Sequence, residues 1–145
     1  MTKALTCLEL SLPALPQCVR EARLAVGETV ASLAATKRLA DDVRLCVSEA
    51  VTNVVRHAYG RRRGRVDIVV ERDADELTVV VRDTGVGIPP PGRRGDSHGF
   101  GLKIIDELAR ESTISRPAEG GTEVAMALDL ASAEKAARLS PCTVQ

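Results

Sequence analysis

"DDVRLCVSEAVTNVVRHAYG", residues 41–60, carries the strongest periodic signal in the chain, and its reading decides the fold. Val43, Val47, Ala50, Val51, Val54 and Ala58 recur at the spacing of one apolar stripe along an α-helix. Asp41 or Asp42 can open that helix, and Gly60 is a natural stop. On its polar side Glu49 and Asn53 stand about 40° apart around the axis and about 6 Å along it. An isolated E-x-x-x-N pair usually marks a solvated face. The identity of this pair argues for more, because an amide oxygen can hold Mg²⁺ and a carboxylate one turn away can take a proton from an attacking hydroxyl.

Outward from this helix the pattern alternates between periods. Residues 4–12, ALTCLELSL, place Leu8, Leu10 and Leu12 on one face, as a half-buried strand requires. Beyond Pro13 and Pro16, the residues Val19, Ala22, Val26, Val30 and Leu33 predict a first helix. On the other side, 65–71 and 77–82 read as two β-branched strands joined around DADE. A glycine- and proline-rich segment follows, then an amphipathic helix from Leu102, STISR, the turn PAEGG, the strand TEVAMAL and a last helix ASAEKAARL. Helices that come in pairs or singly between strand pairs predict a single α+β domain spanning 1–145, with a frayed tail from about 140. Its architecture is a two-layer sandwich, a mixed sheet covered by helices on one face.

Composition narrows the function. Twenty basic residues balance twenty acidic ones, so no overall field draws the chain to nucleic acid or anionic lipid. Tyr59 and Phe100 are the only aromatics, which argues against base-stacking platforms. Four scattered cysteines form no CxxC pair and there are two histidines, so zinc spacing is absent and reduced thiols in the cytoplasm are expected. No apolar run approaches the roughly 18 residues of a membrane span.

Three further stretches carry possible chemistry. In "VRDTGVGIPP", 81–90, Asp83 ends a strand where its carboxylate can accept a hydrogen bond from an exocyclic amine such as adenine's. Gly85 and Gly87 allow close approach or positive φ, although hairpin turns use the same residues. In "HGFGLKII", 98–105, Gly99 and Gly101 precede a helix whose first N–H groups can receive phosphate oxygens, unless they are simply a flexible entry. In "GGTE", 120–123, Thr122 sets a hydroxyl at a strand start. The basic cluster Arg61, Arg62, Arg63 and Arg65 reads as a solvated loop, and His57 as a structural residue at a helix end.

In this order, E49-x-x-x-N53, D83-x-G85-x-G87, G99-x-G101-L102 and G121-T122 resemble the asparagine box, the two glycine boxes and the final threonine of the GHKL ATPase superfamily, over roughly residues 41–128. "VSEAVTNVVRHAYG" looks most like the small anti-sigma factor serine/threonine kinases of the RsbW and SpoIIAB type. The resemblance implies the Bergerat ATP-binding fold, ATP and Mg²⁺ as cofactors, and a homodimer that sequesters an alternative sigma factor. It further implies phosphorylation of a serine or threonine on an anti-sigma factor antagonist of the STAS type. Carried over, Asn53 would hold the metal and Glu49 would be the general base. Asp83 would read adenine, Gly85 and Gly87 would shape its pocket, Gly99, Gly101 and Leu102 would receive phosphates, and Thr122 would help hold the base. Relatives often carry an arginine at the second glycine box; here Ser97, His98 and Phe100 stand there, and Arg94 is the first choice to replace its charge, ahead of Arg93 and Lys103. Two alternatives share the motifs: an ATP-binding anti-sigma switch with little or no kinase activity, and a detached histidine-kinase catalytic domain.

Overall fold

The computed structural model describes residues 4–33, 36–60, 62–85 and 96–130, the side chains of 96–101 excepted. The expected order holds: β1 (Leu5–Pro13), α1 (Cys18–Ser32), α2 (Lys37–Asn53), a π-helical turn (Val54–Ala58), β2 (Arg65–Asp73), β3 (Glu76–Asp83), α3 (Asp96–Leu108), β4 (Glu111–Ser115) and β5 (Thr122–Asp129). The last helix expected from the sequence and the tail from about 140 lie outside the described residues. None of the described helices is long and apolar enough to cross a membrane.

The strands form one sheet in the order β1-β2-β3-β5-β4. Every neighbouring pair is antiparallel, which corrects the mixed sheet expected above. The cause is topological. The crossover through α3 sets β4 parallel to β3 but one place away, and β5, returning from β4, fills the gap antiparallel to both. The helical pair α1 and α2 likewise brings the chain back antiparallel to β1.

Alternation along the strands decides which face is covered. Val66, Ile68 and Val70 of β2, Leu77, Val79 and Val81 of β3, and Val124, Met126 and Leu128 of β5 are all buried. Their neighbours Asp67, Arg82 and Glu123 face the other way, where Arg82 pairs with Glu123. Above the buried face α2 packs between α1 and α3, and its stripe of Val43, Val47, Ala50, Val51 and Val54 closes the core. With the aromatics almost absent, small branched side chains on facing layers do the filling.

Two helix boundaries differ from expectation. Thr36, rather than Asp41 or Asp42, caps α2, its hydroxyl accepting the Leu39 N–H at 3.1 Å. Leu39 and Ala40 extend the buried stripe backward, so tertiary packing rewards the earlier start, and Asp41 instead pairs with Lys37 and Arg44, each at 3.1 Å. α3 begins at Asp96, not Leu102, so Gly99 and Gly101 lie within its first turns. Two helical glycines cost about 1 kcal/mol each against alanine, too little to exclude a helix that packs on α2.

The face assignment makes a direct prediction. Ile68→Ala, fully buried in β2, should lower unfolding free energy by about 2–5 kcal/mol in urea titration. Val69→Ala, one residue on and facing outward, should cost less than about 1 kcal/mol. Equal losses at both would contradict the one-sided core.

Candidate functional site

β3 alternates inward at Leu77, Val79 and Val81, and the next inward position is a carboxylic acid, Asp83. It is 5% exposed, and its cross-strand partner Thr122 is 4% exposed; these are the two buried polar side chains among the described residues. An acid in the inward register of a core strand breaks the pattern that builds the sheet, which makes Asp83 a candidate site residue. Burial pushes the Asp83 carboxyl above its ordinary value. The Gly85 N–H, which donates to Oδ1 at 2.9 Å, and the Thr122 backbone N–H offset part of that rise.

The backbone around Asp83 is unusually close-set. A β-carbon at Gly85 would land on the carbonyl of Ala58, at the end of the π-turn. At Gly121, where φ is +88°, a β-carbon would land on the carbonyl of Asp83 itself. Three segments distant in sequence therefore meet by backbone contact. Gly85 is required first by the protein's own packing against Ala58, a reason the D-x-G-x-G spacing does not disclose.

That contact brings in α2. Glu49 and Asn53 are half-buried on the last turns of α2, which packs on β3 and α3. The Asn53 amide nitrogen is buried and has no hydrogen-bond partner among the described residues. A buried orphan amide is costly unless something outside the chain satisfies it. Rotation about χ2 exchanges that nitrogen for the oxygen, so the side chain can offer a donor or a metal ligand from one position. Immediately after Asn53 the helix widens into the π-turn Val54–Ala58, a form concentrated at functional sites. Below this face, burial together with the Asp42 and Glu49 carboxylates pushes the Cys46 thiol up to about 12, so it remains protonated. Cys7, Cys18 and Cys46 are unbridged, as the sequence led us to expect.

The remaining candidates divide. Leu102 is half-buried on α3 against the core, and Lys103 is exposed beside it. Gly99 and Gly101 belong to the opening of α3. Gly87, Arg93 and Arg94 lie outside the described residues. Of the basic cluster, Arg62 and Arg63 are exposed, while Arg65 is tied to β1 through Ser11, by Nε to the hydroxyl and Nη2 to the carbonyl, each at 2.9 Å. His57 sits half-buried inside the π-turn. Two features escaped the sequence reading: the π-turn, which shares its apolar spacing with an α-helix, and Tyr59, whose hydroxyl meets Thr84 next to Asp83. The signal for Tyr59 was its rarity, as the chain's one tyrosine at a helix end.

The chain is similar to known proteins. The family model described as "Histidine kinase-like ATPase domain" matches residues 12–128. An anti-sigma F factor of Clostridium novyi is 33% identical over 124 residues, covering 78% of this chain and 87% of that protein. A serine-protein kinase RsbW of Bacillus velezensis is 30% identical over 124 residues, covering 83% of this chain and 71% of its own length. Among solved structures, that of the RsbU and RsbW domains of a Mycobacterium tuberculosis protein aligns with a TM-score of 0.67 at 21% identity, over 89% of this chain and 32% of the larger one, and shows the shared fold. The family model spans most of the chain and the relatives match it over most of their length, so the chain belongs to the histidine kinase-like ATPase domain family, alongside anti-sigma F factors and RsbW serine-protein kinases.

Proposed function

We propose that this protein is an ATP-dependent anti-sigma factor and protein serine/threonine kinase of the cytoplasm. In this reading a homodimer holds an alternative sigma factor and phosphorylates a serine or threonine on a STAS-type antagonist. The names of the relatives support the anti-sigma and kinase halves together. The observation that carries the reading is the orphaned Asn53 amide, one helical turn from Glu49, on the helix whose end presses on the Asp83 loop.

The chemistry follows from these positions. Asp83, shielded from water, accepts the adenine amine without competition from solvent donors, and Gly85 with Thr122 holds its carboxyl in place. Asn53 fits a Mg²⁺ ion through its amide oxygen, because the buried amide position that has no partner among the described residues is open to that oxygen once the amide is flipped. Bound there, Mg²⁺ would neutralise phosphate charge during transfer. Glu49 takes the proton from the substrate hydroxyl as its oxygen attacks the terminal phosphorus and ADP departs. Gly99, the fourth residue of α3, would offer a free N–H to the phosphates, with Gly101 and Leu102 beside them further along the helix; Gly87 would border the base, and Arg94 would supply the cation.

Incubation with labelled ATP and a STAS-type antagonist tests the assignment: an acid-stable phosphoester is expected. ATP binding without label would identify a non-transferring switch, and an acid-labile product a histidine kinase. Glu49→Ala should bind ATP as the wild type does but transfer phosphate about 10²–10⁴-fold more slowly, read by single-turnover labelling. Asn53→Ala should lose the gain in ATP affinity that Mg²⁺ gives the wild type, read by calorimetry with and without the metal.

Asp83 makes a prediction in pH. Its folded value is raised, so the folded state holds the proton more tightly than the unfolded chain. Its contribution to stability is full below the ordinary 3.8 and is lost as pH rises through the folded value. Nucleotide-free Asp83→Asn should lack this slope and gain on the wild type in thermal melts across that window. The same substitution should weaken ATP binding about tenfold or more, by losing a charged acceptor.

A further inference from the structure

β2 and β3 pair with Val66 opposite Asp83 and Asp67 opposite Arg82. Continued by one residue, that register sets Arg65 opposite Thr84. The ladder stops short of this rung. The Tyr59 hydroxyl occupies it, donating to the Arg65 carbonyl at 2.5 Å and accepting the Thr84 N–H at 3.0 Å. With its one proton committed to Arg65, the phenol oxygen meets the Thr84 hydroxyl, 3.4 Å away, as an acceptor. The ring is seated against Gly64, where a β-carbon would collide with it.

An inserted hydroxyl holds the two strand ends farther apart than a direct N–H···O=C bond would. The separation falls immediately after Asp83, where the chain must leave the sheet for Gly85 to reach the Ala58 carbonyl and donate its own N–H to the Asp83 carboxyl. Tyr59 follows directly on the π-turn that ends at Ala58, so one short segment supplies both the surface against which Gly85 packs and the wedge that releases Thr84.

We propose that Tyr59 is a positioning residue for base recognition: by replacing the rung between Arg65 and Thr84 it aims the Asp83 carboxyl at the adenine amine. This rests on the nucleotide-binding reading above. Loss of the hydroxyl in Tyr59→Phe lets Thr84 and Arg65 pair directly, draws the Thr84–Gly85 segment toward β2 and loosens the Gly85 bond to Asp83.

The test compares wild type and Tyr59→Phe, full-length, at a temperature well below both melting points. Calorimetry gives the affinities for ATP and GTP. The expected result is about a tenfold fall in the ATP-over-GTP preference, the size of one positioned hydrogen bond. Hydrogen exchange reads the backbone: the Thr84 amide should change its protection in Tyr59→Phe while that of Val79, deep in β3, is unchanged. An unchanged preference, with the wild type binding ATP, overturns the assignment even if the variant melts lower, since a purely structural tyrosine would alter stability alone. If the wild type itself binds no adenine nucleotide, the underlying reading fails and the proposal falls with it.

Discussion

A carboxyl group held out of water at the end of β3 is the constraint around which this structure is arranged. A buried carboxylate without donors is strongly unfavourable, and Asp83 is supplied with two backbone N–H groups, from Gly85 and Thr122. Each donor imposes its own demand. For Gly85 to reach back, the chain must turn sharply after β3 and lie on the Ala58 carbonyl, which excludes any β-carbon at 85. For Thr122 to begin β5 opposite Asp83, Gly121 must pass over the Asp83 carbonyl with φ at +88°. Satisfying one acid therefore ties the helical layer, the central strand and the fifth strand together.

One helix supplies both packing and the candidate chemical pair through its two sides. Its apolar stripe is flanked by α1 and α3, so the position and tilt of α2 are set by the core, and Glu49 and Asn53 are carried into place by a rigid element. The π-turn that follows adds one residue per turn and shifts the angle at which the chain leaves, which is how Ala58 and Tyr59 come to face the end of β3. Stability and function meet here with opposite sign. An amide nitrogen with no partner among the described residues and an acid in a core register each weaken the empty protein, and in the proposed reading a bound nucleotide would offset both.

Much of this was legible in the residues. Helices and strands declared themselves because burial on one side forces a period of 3.6 or 2 on the chain, and here Val and Ala at those periods are almost undiluted by aromatics. The candidate pair on α2 was legible for the same reason, since helical geometry alone sets Glu49 and Asn53 on a common face. What misled were signals of local chemistry that packing overrode. Asp41 and Asp42 looked like caps, but Leu39 and Ala40 find burial one turn earlier, and Thr36 caps instead. Gly99 and Gly101 looked like the approach to a helix, yet α3 includes them.

By itself the sequence determined the described elements to within their ends, their order, the inward faces of β1, α1 and α2, and residue types with the chemistry to bind a nucleotide and move a proton. Only the tertiary structure decided that the sheet is antiparallel throughout, because strand order depends on where a returning hairpin finds room. It alone decided that Gly85 is set by Ala58, that Asp83 is closed in by Thr122, and that the chain's one tyrosine stands in for a rung of the sheet. The physical reason is common to all three. Periodicity records how a residue relates to its own element, whereas backbone contact between residues 58, 83, 85 and 121 is a relation between elements, which no local pattern encodes.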